Sequence, residues 1–359
     1  MIYNTIVILQ KENSNATMLK NTDKWIKSMY QQLANKNEIK IFDSVHENHL
    51  LKSLRHVENL IAFSNALNHL KLERNNSFYI KYMSMLAHSK IFHTLAIVYR
   101  HKKNEERAYF AYFISQYPQL AKNTEGICTD TINTMISYIE ASDIYCRSNV
   151  LKALCRVGDL HGIVNILQLF NDKTIFIYHG LLAEDLFSFA GDKEAMALHL
   201  WEKYKTWNDN IMLGVVTFIT MFSSVFKNAF LPVLQNKSTS TEIRLAIIRY
   251  YKKYHFKPAQ PILVEYLRQT ENYDFAAHAA DVLCAYPERN TINALTSALQ
   301  SENWHVQYSA ASSLVTLGVY SESFIKDLTN SNNNALQIVQ YMLEHTSDEK
   351  DMNVGEVIV

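Results

Sequence analysis

Glycine and proline are the scarce residues. Eight glycines and five prolines spread over 359 residues supply too few turns and breakers for a strand-rich fold, which argues for an all-helical chain. The same scarcity leaves little room for a phosphate-cradling loop, and neither G-x-x-x-x-G-K-[ST] nor G-x-G-x-x-G occurs. G-x-S-x-G and H-E-x-x-H are missing as well. Charge of one sign is absent: 35 Lys plus Arg balance 35 Asp plus Glu, so no global field draws the protein to nucleic acid or anionic lipid. The four cysteines, Cys128, Cys146, Cys155 and Cys284, include no C-x-x-C pair. They read as reduced, partly buried thiols of a reducing compartment, not as a metal or redox site.

Long apolar runs are lacking too. The opening "MIYNTIVIL" falls well short of the ~20 residues that span a bilayer, and it lacks the basic start and small-residue cleavage site of a signal peptide. It reads either as the stump of a membrane anchor or as a first helical turn. The polar run "QKENSNA" directly after it favours the stump. The expected location is the cytoplasm, with membrane association only through such an anchor.

What the chain does have is a repeat. In "SENWHVQYSAASSLVTLG", small residues stand where a helix core usually carries Leu or Ile, and the stretch stops on Gly318. Counting back from Gly318 as zero, the template is aliphatic at −12, Arg or another polar residue at −11, small or apolar at −8 and −7, and apolar at −4 and −1. "CRSNVLKALCRVG", "IRLAIIRYYKKYH" and "FAAHAADVLCAYP" fit it well, and "HGLLAEDLFSFAG" and "IMLGVVTFITMFS" fit it more weakly. The zero positions are 158, 191, 223, 255, 287 and 318, spaced 33, 32, 32, 32 and 31. Each copy has an apolar helix upstream, such as "GIVNILQLF" or "TINALTSALQ". A helix pair of this length cannot bury its apolar face alone, so neighbours must stack into an α-solenoid.

"TINALTSALQSENWHVQYSAASSLVTLG" resembles a HEAT repeat, whose second helix reads V-R-x-x-A-A-x-x-L-x-x-L-G. The resemblance covers about residues 130 to 318. Arg147 and Arg244 hold the family's Arg position, while Gly180, Met212, Ala276 and Gln307 depart from it. The resemblance implies an all-α superhelix of the HEAT/armadillo type, with the Arg tying adjacent repeats and Ala279 and Ala310 admitting a neighbour's side chains. The segments "HVENLIAFSNAL" and "KIFHTLAIVYRHKKNEERAYFAYFI" resemble bacterial HEAT-repeat domain proteins, many of them anchored by one N-terminal membrane helix.

Four stretches follow from this reading: 1–16 as apolar start and linker, 17–128 as an N-terminal helical cap, 129–345 as about six repeats, and 346–359 as a frayed polar tail. Within the cap, Thr22 and Asp23 are expected to start one helix. "DSVHENHLLKSLRHVENLIAFSNALNHLKL" and "SFYIKYMSMLAHSKIFHTLAIVYRHKK" are expected to form one long helix each.

Chemistry is thin. His46, His49 and His56 share a helical face at i,i+3 and i,i+7, a spacing zinc or iron would accept. Leu50, Leu51, Leu54, Val57 and Leu60 mark the buried side, however, and leave the histidines on the solvated one. The adjacent carboxylates Glu184–Asp185 and Glu105–Glu106 point about 100° apart on a helix. Cys155 has no neighbours in sequence that would activate it. No enzyme, cofactor or metal is expected.

Position −6 of the second helices points away from the buried side and reads Lys152, Asp185, Thr217, Arg249, Asp281 and Ser312, all polar and of both signs. Position −2 adds Arg156 and Lys253 in a mixed polar and apolar row with Phe189, Met221, Ala285 and Thr316. A mixed row on the concave face suits a protein or peptide partner, so the expected function is a non-catalytic scaffold that binds through the six residues at position −6 together with Arg156 and Lys253. The alternative is nucleic-acid binding through the helix 243–257, where Arg244, Arg249, Lys252, Lys253 and Lys257 alternate with Tyr250, Tyr251, Tyr254 and Phe256. Tyr251 and Tyr254 fall on core positions, which makes nucleic acid the weaker reading. A third class, an enzyme like the HEAT-like DNA glycosylases or bilin lyases, would need a deep pocket with converging acidic and aromatic groups.

Overall fold

The computed structural model describes residues 15–34, 42–72, 77–123, 126–269, 272–320 and 336–344. The anchor-stump and frayed-tail expectations, on residues 1–16 and 346–359, lie outside these except for residues 15 and 16, which open a helix. The protein is all-α, with one two-residue antiparallel pair among the described residues, Lys122–Asn123 against Gly126–Ile127. It divides into two compact units, Met1–Phe218 and Ile219–Val359.

In the first unit α1 (Asn15–Ala34), α2 (Ser44–Leu54), α3 (Val57–Leu72), α4 (Ser77–Ala87), α5 (Ile91–Arg100) and α6 (Asn104–Gln116) precede the sequence repeat. The repeat follows with α7 (Thr129–Ile136), α8 (Ile144–Val157), α9 (Leu160–Asp172), α10 (His179–Phe187) and α11 (Lys193–Glu202). α12 (Asp209–Phe222) contains the dividing point. Helices stack in two layers: α3, α6, α8 and α10 pack in succession on one side, and α2, α5, α7 and α9 on the other. The pairs α2–α3 and α5–α6 therefore keep the order of the repeat although their sequence does not show its frame.

The second unit holds α13 (Lys227–Gln235), α14 (Thr241–Lys253), α15 (Gln260–Leu267), α16 (Tyr273–Val282), α17 (Arg289–Ala298) and α18 (Trp304–Thr316), followed by helical residues 336–344. Again α14, α16 and α18 form one layer, with α15 and α17 stacked in the other.

The small residues have the role expected of them. Ala279, Ala280, Ala310 and Ala311 are fully buried where α16 meets α18. The backbones come close enough for Ser313 Oγ to donate to the Ala280 carbonyl at 2.7 Å. Gly158 and Gly318 end their helices with φ of +86° and +75°. Asp159 N donates to Leu154 O at 3.1 Å and Val319 N to Leu314 O at 2.9 Å, so both ends close as Schellman motifs in which the left-handed residue is best a glycine. The Arg position ties neighbours where Arg is present. Arg147 donates forward to Phe176 O at 2.9 Å, and the Arg244 guanidinium lies 4.5 Å from the ring centre of Phe275 on α16.

Tyrosine supplies a second tie. Tyr99, Tyr266 and Tyr286 donate their hydroxyls to Leu54 O (2.9 Å), Leu234 O (2.7 Å) and Tyr251 O (3.1 Å). Each acceptor belongs to the last turn of an earlier helix, where carbonyls have no intrahelical partner. A buried ring thus both packs and satisfies an orphan carbonyl.

Three local expectations are corrected. Thr22 caps nothing: α1 begins at Asn15, and the Thr22 hydroxyl donates back to Met18 O at 3.0 Å, the i−4 bond a mid-helix Thr makes. The first long helix breaks between Leu54 and Val57, where Asn59 Nδ2 takes Ser53 O at 3.1 Å and Tyr99 takes Leu54 O. The second breaks between Ala87 and Ile91, where His88 Nδ1 meets Ser84 O at 2.7 Å and Ser89 Oγ donates to Leu86 O at 2.7 Å. In each case side chains share the end-of-helix carbonyls with backbone N–H groups.

Candidate functional site

The eight residues expected to line a partner-binding row fall in both units, and the structure treats them differently. In the first unit Arg156 Nη1 donates to Ser115 O at 3.1 Å, in the last turn of α6, where a cation meets the negative end of the helix dipole. Thr217 is half-buried and its hydroxyl donates to Leu213 O within its own helix at 2.7 Å. Lys152 is half-buried on α8.

Asp185 is the clear correction: it is 1% exposed, not on an open face. Ser148 Oγ, one hairpin back, donates to Asp185 Oδ2 at 2.6 Å, while Oδ1 is buried without a hydrogen bond. Burial raises this carboxyl to about 7, against the pull of the Ser148 hydrogen bond and of the Lys152 charge. At position −6 the side chain points into the seam between α8 and α10, so its polarity reports a helix-to-helix contact.

In the second unit the row is more open. Arg249 is exposed and its Nη1 lies 3.2 Å from His278 Nε2 on α16. Lys252 and Asp281 pair at 2.7 Å, both near half-exposed. Lys253 Nζ takes Met221 O at 2.6 Å, capping α12 as Arg156 caps α6. Ser312 is half-buried. Beyond Asp281 a groove of about 400 Å³ opens, lined by Tyr273, His278, Asp281, His305 and Ser309 among others. On the same helix as His305 and Ser309, Trp304 is 55% exposed and packs on Tyr308 with ring centres 4.9 Å apart.

The aromatics of the alternative nucleic-acid helix are largely spent on packing. Tyr250 and Tyr251 are buried, and Phe256 stacks on Tyr251 at 6.0 Å and 17°. The histidine trio separates. His46 is buried, a correction to its solvated placement, because Phe42 and His49 stack against it. The helix break puts His56 outside α2. Among the described residues no three His, Cys, Asp or Glu side chains gather as metal ligands. All four cysteines are free, and burial pushes the Cys146 thiol up to about 12. Among the described residues no helix is long and apolar enough to cross a membrane.

Residues 260–349 match the family model for HEAT repeats. HEAT repeats are thereby recognised in that stretch, about a quarter of the chain. The matched stretch spans α15 to α18, which include the Ala-lined seam and the groove. Among solved structures the chain is similar to human deoxyhypusine hydroxylase in complex with glycerol, at 15% identity and a TM-score of 0.31, over 77% of this chain and 96% of that one. No curated protein matches. The neighbour is an enzyme, which corrects the expectation that this chain is not one: stacked helical repeats and missing hydrolase motifs do not exclude catalysis. A likeness this remote assigns no activity here.

Sequence reasoning missed Tyr273, His278 and His305 of this groove, and Trp304 on the same helix as His305. A signal for two aromatics existed: Trp304 and Tyr308 stand at i,i+4 beside the buried stripe Val306, Ala310, Leu314, so they form a separate face. His278 and His305 come together only through the stacking of α16 on α18.

Proposed function

We propose that this HEAT-repeat protein is a scaffold whose second unit binds a protein or peptide partner through the face formed by α14, α16 and α18. The observation that carries the reading is the groove between α16 and α18. Arg249 and Lys252 contact its lining residues His278 and Asp281, which brings charges of both signs to it, and the helix that supplies His305 and Ser309 also carries the exposed Trp304–Tyr308 pair. Interfaces place Trp, Tyr and Arg at their energetic centres, with satisfied polar groups at the rim. A groove serving nucleic acid would instead gather one sign of charge and offer its aromatic faces for stacking.

The experiment is site-specific photocrosslinking in cells, with a benzophenone amino acid at Ser309 and, as control, at the exposed Leu198. Discrete protein adducts from position 309 alone, lost on Trp304→Ala, support the reading. Identical adducts from both positions, or adducts to nucleic acid, refute it.

A further inference from the structure

A second groove, of about 860 Å³, also lies beside the start of α16 but is walled by α13, α14 and α15. Its walls are the C-terminal end of α13 and the turn after it (Gln235, Lys237), the first turn of α14 (Arg244), the end of α15 (Glu265, Arg268) and the start of α16. It shares no residue with the α14–α16–α18 face. Three cations and one carboxylate, Glu265, line it. Among the described residues no carboxylate comes within ion-pair distance of Lys237, Arg244 or Arg268.

Arg244 is held in place without being neutralised. Its guanidinium stacks on Phe275 at 4.5 Å, Nη1 lies 3.4 Å from the Tyr266 hydroxyl, and Nε is buried without a hydrogen bond. The Tyr266 hydroxyl is itself committed to Leu234 O at 2.7 Å, so it brings Arg244 no negative charge. A planar fork fixed on an aromatic ring loses little freedom when a carboxylate docks on it, and that pairing is charge-assisted.

We propose that this groove binds an acidic peptide segment, with Arg244 as the fixed carboxylate fork and Arg268 and Lys237 as mobile outer contacts. The volume exceeds what a single small anion fills and suits several extended residues. A nucleic acid strand finds no stacking surface, because Arg244 covers Phe275 and Tyr266 is buried. Glu265 in the same lining disfavours a uniformly anionic strand and suits a peptide whose carboxylates are interspersed with neutral residues.

The test is fluorescence anisotropy with a labelled ten-residue peptide alternating Glu and Ser. The whole chain is compared with Arg268→Gln/Lys237→Gln, both exposed positions, and with Lys252→Gln/Lys253→Gln on the other face. The peptide is expected to bind, its Gln-for-Glu version not to, and the first double variant to weaken binding about tenfold or more, with the second double variant unchanged. Arg244→Gln, checked for an intact fold by its melting curve, should weaken it as well. Absence of binding, equal binding of the neutral peptide, loss only in the Lys252/Lys253 variant, or tighter binding of a single-stranded DNA oligomer would each overturn the proposal.

Discussion

Replacing Asp185 with Asn should stabilise the protein at neutral and alkaline pH. The carboxyl is buried, with one oxygen bonded to Ser148 and the other unbonded, and burial raises it from 3.8 to about 7. A carboxyl raised on folding is protonated in the native state at pH values where the unfolded chain has already lost that proton. Between about pH 4 and pH 7 the native state therefore holds more protons, and stability falls as pH rises. Below 3.8 this group costs nothing; above about 7 it costs its full amount. At about 1.4 kcal/mol per pH unit, the ceiling is ~4 kcal/mol. Asn mimics the neutral acid and keeps an acceptor for Ser148, so its stability lacks this dependence. Urea unfolding followed by circular dichroism should find Asp185→Asn more stable than wild type by about 2–4 kcal/mol at pH 8, with the gap closing toward pH 4. A gap independent of pH, or a variant weaker at pH 8, would refute the reasoning. The charge-assisted bond from Ser148, with Lys152 and Arg156 nearby, would then outweigh the burial cost. A carbon-13 titration in which the Asp185 carboxyl moves near 4 would refute it directly.

Gly318→Ala should destabilise the C-terminal repeat by about 1 kcal/mol, because its φ of +75° disfavours any side chain; hydrogen exchange in α18 reads this, and unchanged protection contradicts it. Ala310→Leu should cost about 1–3 kcal/mol by overpacking the α16–α18 seam, seen as a lower melting temperature, and a neutral result would mean the seam holds unfilled space. Tyr286→Phe should cost about 1 kcal/mol, since it removes the hydroxyl from Tyr251 O at 3.1 Å without changing the ring's packing; a loss near zero in chemical unfolding would show that water replaces that bond.

The repeat was legible in sequence where backbone geometry leaves few residue choices. Gly158 and Gly318 mark left-handed helix ends, and the paired alanines mark helices whose axes approach closely, so the frame found all six hairpins from α7–α8 to α17–α18. The hairpins α2–α3 and α5–α6 stack in the same order but carry Phe63, Phe110 and Phe113 at their contacts, and bulky interlocking rings follow no fixed register. The breaks within the two long segments were hidden for another reason. They are accompanied by His88, Ser89 and Asn59 reaching back to end-of-helix carbonyls, and the same residue types sit harmlessly on solvated helix faces. Of the candidate site, Arg249 and Asp281 were found, whereas His278, His305 and Trp304 gain meaning only from what the neighbouring helix places beside them.

Position −6 shows why polarity alone could not separate exposed from buried. In a stack of near-parallel helices, a residue opposite the core stripe stands at the edge where one second helix meets the next. There Ser148 reaches Asp185, Lys252 reaches Asp281 and Arg249 reaches His278, each from one repeat to the next. All three contacts select polar side chains, as solvent would, so a uniformly polar row arises whether the edge is open or closed. Packing depth decides between the two. Where α10 closes on α8, Asp185 is 1% exposed and its charge is costly; where α14 meets α16, Lys252 and Asp281 remain near half-exposed and their pair is worth little to stability. Such a weak, wet pair is easily exchanged for contacts to a partner, which favours the second unit for the proposed recognition surface, while the pH-sensitive seam lies in the first.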